Sequence, residues 1–146
     1  MARCAGGGRT VTTVPDPDQG PNLYATAASG ALTLREVGIF NTTTTAFAAA
    51  LVRCTTAGTV GAAVTEENVD DPSHTILGVV AGVHSAGATV GGPIRQASIG
   101  AAIGAGIIWT FGDLGLYIPE GTANGVAITC PTGTGQHFDY YFEWTE

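Results

Sequence analysis

A chain of 146 residues is long enough for one domain with a real core and too short for two comfortable ones. Only 12% of the residues are charged against 45% hydrophobic, the net charge is −7, and the five basic residues (Arg3, Arg9, Arg35, Arg53 and Arg95) are scattered among twelve acids. Phosphate backbones and anionic membranes are both held by clustered Lys and Arg, so this balance speaks against nucleic acid and against a membrane surface as partners.

So few charges leave two readings of the surface: much of it is covered by other protein, or the absence of lysine reflects codon bias. Cys4, Cys54 and Cys130 are an odd number with no CxxC, so neither a disulfide framework nor a zinc site is expected. Cys54 and Cys130 sit in apolar stretches and read as buried thiols. The opening MARCAGGGRT has no apolar core of a secretory signal. No run reaches the about 18 apolar residues of a membrane span. The expectation is a protein made in a cytoplasm and not embedded in a membrane.

Residues 1–30 differ from the rest. GGG at 6–8, PDPDQGP at 15–21 and ATAASG at 25–30 carry no apolar periodicity, apart from a brief TVTTV at 10–14. Pro15, Pro17 and Pro21 favour extended backbone. The segment is read as an extended N-terminal arm, either a disordered tail or a strap that orders on a neighbouring subunit by adding TVTTV to its sheet edge.

From residue 31 the pattern is β. ALTLREVGIF (31–40) points Leu32 and Leu34 inward and slips phase at Arg35-Glu36, as a bulge does. AFAAALVRCTT (46–56) is rich in alanine, a helix former, but threonines flank it and it is read as a strand. AAVTEENVDDPSH (62–74) is acidic and loop-like, and Thr65 is placed to cap one helical turn through Asn68. TILGVVAGVH (75–84) reads as an apolar strand, and GGPIRQASIG (91–100) as a strand with Pro93 at its start.

SIGAAIGAGIIWTFGDLG (98–115) holds Gly100, Gly104 and Gly106. It is too interrupted for a membrane helix, and IIWTF is too β-rich to be the helix after a phosphate loop. The glycines are read as a tight bend, or a close backbone approach, between two strands. If the approaching backbone belongs to a neighbouring subunit, the stretch is part of an oligomer interface. IIWTF (107–111), LGLYI (114–118) and GVAITC (125–130) are short strands. HFDYYFEWTE (137–146) sets Phe138, Tyr140, Phe142 and Trp144 on one face and Asp139, Tyr141, Glu143 and Thr145 on the other. Four large aromatics at period two make a core-facing row, the other reading being a carbohydrate-binding strip. About eight short strands spaced by turn residues imply an all-β, antiparallel, jelly-roll-like sandwich over 31–146, preceded by the arm at 1–30.

The usual catalytic spacings are absent. His74, His84 and His137 form no HxH or HExxH, and no GxSxG, GxxxxGK[ST] or complete GxGxxG occurs. Glu66, Glu67, Asp70, Asp71 and His74 fall within nine residues. They are read as a solvated loop, with a hard-cation site as the alternative. No catalytic, cofactor or metal residue is therefore assigned, and the chain is not expected to be an enzyme.

Three stretches carry a resemblance: ATAASGALTLREVGIFNTTTTAFAAALVRCTTAGTVG, IRQASIGAAIGAGIIWTFGDLGLYIPEGTANGVAI and the closing DYYFEW. The chain resembles small virion proteins encoded by tailed bacteriophages of actinobacteria. The resemblance implies a capsid or tail surface component. The leading expectation is a capsid decoration or minor capsid protein. It would bind the outer surface of the major capsid protein as a homo-oligomer, with a trimer favoured, and the arm would help to clamp neighbouring subunits. The alternative is a tail- or fibre-associated module that recognises a host glycan or another tail protein, with exposed aromatics such as Trp109, Tyr117 or Tyr141 as its patch. A cupin-like enzyme is a third reading, but its fold holds metal through a histidine cluster that this sequence does not show.

Overall fold

The computed structural model describes the chain apart from residues 11–19, 27–29, 57, 61–63, 83, 87–88, 122–123 and 132–135. Among the described residues the structure is all β, in two packed antiparallel sheets. The strands are β1 (Arg3–Arg9), β2 (Asn22–Tyr24), β3 (Leu32–Asn41), β4 (Phe47–Cys54), β5 (Thr59–Val60), β6 (Glu66–Asn68) and β7 (Val79–Ala81). They continue with β8 (His84–Ala86), β9 (Val90–Ile99), β10 (Gly106–Thr110), β11 (Leu116–Ile118), β12 (Gly125–Thr129) and β13 (Phe138–Thr145). One sheet runs β10-β3-β13-β1-β6, with β11 also paired to β3; the other runs β7-β2-β12-β4-β9. β5 and β8 make a separate pair. The expected sandwich is present, with more and shorter strands than the turn spacing suggested.

β13 organises the first sheet. Its burial alternates residue by residue, with Phe138, Tyr140, Phe142 and Trp144 inward. These rings meet Leu23, Leu51, Val126 and Ile128 of the facing sheet in a single core. The Phe138 ring stacks on Phe47 of that sheet at 5.6 Å between centroids, and Tyr140 sits edge-on between Phe138 and Phe142. The second sheet is covered on both faces: Ala50, Val52, Cys54 and Ala127 form a small buried cluster on its other side.

The boundary expected at residue 31 does not separate an arm from the domain. Arg3–Arg9 pairs with β13 over seven residues, from Arg3 opposite Thr145 to Arg9 opposite Asp139. β2 lies between β7 and β12, with Leu23 fully buried. The reason the sequence hides β1 is steric. Its inward positions, Cys4, Gly6 and Gly8, stand opposite Trp144, Phe142 and Tyr140. A Cβ on Gly6 would press on Val80 of the facing sheet. Large rings on one strand require small residues on its neighbour, and glycine carries no hydrophobic period. Most of the TVTTV stretch lies outside the described residues.

The bulge expected at Arg35-Glu36 is present. Glu143 pairs with Glu36 and the next residue, Trp144, with Leu34, so Arg35 is the extra residue on β3. β10 pairs with β3 on one side of Arg35 (Glu36–Phe40) and β11 on the other (Leu32–Leu34). The Arg35 guanidinium donates to Thr145 Oγ1 and to the carbonyls of Gly112 and Asp113 in the β10–β11 turn. The bulge thus aims one side chain at the turn that the chain makes beside it.

Other expectations change. Glu66–Asn68 is a strand paired with Cys4–Gly6 and not a helical turn, because β1 offers it a sheet edge. The strand expected over 75–84 is split into Val79–Ala81 and His84–Ala86. Pro93 lies inside β9 beside two register slips against β4, a position that an edge strand tolerates.

Candidate functional site

The acidic stretch does not converge on a cation. Glu66 Oε1 accepts from the Val80 amide at 2.8 Å and Asp70 pairs with Arg3 at 3.0 Å. Asp71 accepts from the amide and hydroxyl of Ser73, which hold its carboxyl below the usual range. These three carboxylates are each committed to a different neighbour. His74 turns toward the end of β13, where its Nε2 lies 2.9 Å from Glu146 Oε1.

A different cluster forms there. Cys4 of β1, His74 of the β6–β7 connection and Glu146 after β13 bring Sγ, Nε2 and a carboxylate oxygen within 4.8 Å of one another. It is the one group of three such donors among the described residues. Cys4 Sγ is 3.8 Å from Glu146 Oε1 and 3.6 Å from Asn68 Oδ1. Burial, then the Glu146 carboxylate, pushes the Cys4 thiol up to about 11, so it is not a resting nucleophile. Glu146 is the anchor, with its side chain 2% exposed. Burial pushes its carboxyl up, but the Leu77 and Gly78 amides, His74 and the Trp144 indole N–H outweigh that and hold it below the ordinary range. Beyond His74, nothing in the local sequence marks this trio, since its members are 70 or more residues apart.

The other histidines stay apart. His137 Nδ1 bonds the Thr10 carbonyl, and His84 lies in β8. Cys54 and Cys130 are buried, as expected, and burial pushes the Cys130 thiol up to about 11. The aromatic patch Trp109–Tyr117–Tyr141 does not assemble. Trp109 faces the core at 8% exposure, while Tyr141 turns its hydroxyl to Glu36 on the outer face of the first sheet. Tyr117 is exposed and, with Arg53, Pro119 and Asn124, lines an open cleft of about 330 Å³.

The glycine-rich stretch also resolves. Gly104 adopts φ +83° in the turn between β9 and β10, a left-handed conformation that suits only glycine. Gly106 lets β10 close on β3, since a Cβ there would overlap the Phe40 ring and the Ile39 carbonyl. The approaching backbone is therefore the chain's own. Exposed apolar side chains flank this strand: Ile103 in the turn before β10, Ile108 on it and Leu114, at 92% exposure, in the turn after it.

Among the described residues, the outer strands of the two packed sheets differ in how they are guarded. β6 is short and acidic, β7 is three residues long, and β9 carries Pro93, Arg95 and register slips. β10, GIIWT, has neither charge nor proline, pairs only with β3 among the described residues, and presents Ile108 outward. Natural proteins blunt free edges to prevent pairing with other chains, and β10 lacks those devices. Compared with protein-family models, with curated proteins and with solved structures, the chain finds no match in any of the three.

Proposed function

We propose that this chain is a structural virion protein, a capsid decoration or minor capsid protein that self-associates and binds the outer surface of the major capsid protein. The observation that carries the reading is the unguarded β10 edge with its exposed Ile103, Ile108 and Leu114. Apolar surface of this kind gains about 25 cal/mol per Å² when covered, and the gain repeats at each copy on a shell. Association itself costs several kcal/mol per copy, so the contact must be built and repeated rather than incidental. The net charge of −7 suits an outer face away from packaged DNA. The resemblance to actinobacterial phage virion proteins and a jelly-roll-like reading of the sandwich belong to the same proposal. A clamping arm drawn from Arg3–Arg9 does not, because those residues are used inside the chain's own sheet.

The test is the solution mass of the full chain, followed by co-sedimentation with capsids of the phage that encodes it. The expected result is a trimer that sediments with capsids, and an Ile108→Arg variant that is folded, monomeric and unbound. A wild-type monomer that stays in the supernatant overturns the reading.

The open cleft favours a second reading, a tail-associated module for a host glycan. Exposed Tyr117 offers a stacking face, and Arg53 and Asn124 offer donors. Labelling the protein on the particle separates the two by location, capsid against tail.

A further inference from the structure

Cys4, His74 and Glu146 have the donor set and spacing of a borderline-soft metal centre. A tetrahedral Zn²⁺ binds sulfur at about 2.3 Å and nitrogen or oxygen at about 2.0–2.1 Å, which sets its ligand atoms roughly 3.3–3.6 Å apart. The measured edges are 2.9 Å from His74 Nε2 to Glu146 Oε1 and 3.8 Å from Cys4 Sγ to the same oxygen. The third edge is within 4.8 Å. Small side-chain shifts bring all three to bonding distance.

The surroundings are built as an outer shell. The Leu77 and Gly78 amides and the Trp144 indole N–H fix the carboxylate. Asn68 Nδ2 donates to the His74 carbonyl at 2.7 Å, and the His74 amide donates to the Asp71 carbonyl. Such partners orient ligands before the ion arrives. The His74 side chain is 27% exposed and provides the way in. A thiolate and a carboxylate together neutralise a dication, so the loaded site adds no net buried charge.

We propose that this trio binds one divalent transition-metal ion, Zn²⁺ by donor preference, with water or Asn68 Oδ1 completing the tetrahedron. The Cys4 S–H proton leaves to solvent as the metal–sulfur bond forms, and His74 binds as neutral imidazole. The ion then ties β1, the β6–β7 connection and the residue after β13 at one point. Its role is structural, and it is independent of any capsid partner.

Titrating Co²⁺ into the reduced full chain tests this, with Zn²⁺ as competitor. One equivalent of Co²⁺ is expected to raise a thiolate-to-cobalt charge-transfer absorption, which Zn²⁺ abolishes. Zn²⁺ is expected to raise the melting temperature, and a chelator to reverse it. Cys4→Ser removes the absorption and His74→Gln weakens binding at least tenfold, while Cys54→Ser and Cys130→Ser leave both unchanged. Because His74 is partly exposed, its variant reads binding on a folded chain even where Cys4→Ser disturbs the core. The proposal is overturned if the folded chain shows no such absorption with excess Co²⁺. It is equally overturned if the absorption follows Cys54 or Cys130, or if His74→Gln binds as tightly as the wild type.

Discussion

The ring of Tyr141 on β13 lies directly over the backbone of Gly38 on β3, in the space where any other residue would place its Cβ. The phenol then reaches along β3 to Glu36, and Phe40 stacks beside it at 6.5 Å. An aromatic side chain thus covers a glycine in the middle of a strand, where the lack of a side chain to pack otherwise weakens pairing. Gly38→Ala must push the ring aside and is expected to cost about 1–3 kcal/mol in urea denaturation. In a Tyr141→Ala background the same change loses most of that cost, because the obstacle is gone. Equal costs in the two backgrounds sink the account.

Arg9 and Asp139 face each other across β1 and β13 with a two-pronged ion pair, at 2.7 and 2.9 Å. The Arg9 hydrogen bonds hold the Asp139 carboxyl below its ordinary 3.8, against a smaller upward push from burial. A carboxyl depressed on folding binds its proton more readily in the unfolded chain, so its contribution is present above the unfolded value and disappears as pH falls through the folded one. Wild type and Asp139→Asn should therefore differ in denaturation midpoint at neutral pH and converge below pH 3.8. Both partners are well exposed, so the difference is small and shrinks in high salt. A gap that persists unchanged at low pH contradicts this assignment.

Gly104 and Gly100 look alike in the sequence and differ in the fold. Gly104→Ala forces a Cβ into a left-handed conformation at φ +83° and is expected to cost about 1–2 kcal/mol, although nothing stands in its way. Gly100 has a negative φ, and a Cβ there meets Ala105 only at 3.8 Å, an ordinary contact. Gly100→Ala should fall within about 0.5 kcal/mol of wild type. Thermal melts of the two variants decide the matter, and equal losses count against the turn geometry.

What was legible in the sequence was what side-chain period carries. Phe138, Tyr140, Phe142 and Trp144 announced β13 and its inner face, because alternate residues of a strand point to opposite sides. Leu32 and Leu34 followed by Val37 announced both β3 and its bulge, because one extra residue shifts that period by one. The lack of charge and proline in GIIWT is a property of the sequence, but its place at a sheet edge is not.

Tertiary structure alone decided the rest. β1 was invisible because its inward residues are Cys4, Gly6 and Gly8, which acquire meaning only opposite Trp144, Phe142 and Tyr140. Trp109 gave no sign of its side until β10 paired with β3 and turned it to the core. Cys4, His74 and Glu146 became neighbours because the first strand runs antiparallel to the last, with Ala2 and Glu146 exchanging backbone hydrogen bonds at 2.9 and 3.1 Å. The loop after β6 then folds back over that pair. Local sequence sets which face of a strand is apolar. Which strands meet, and therefore which distant donors meet, depends on the packing of large residues against small ones across the whole sandwich.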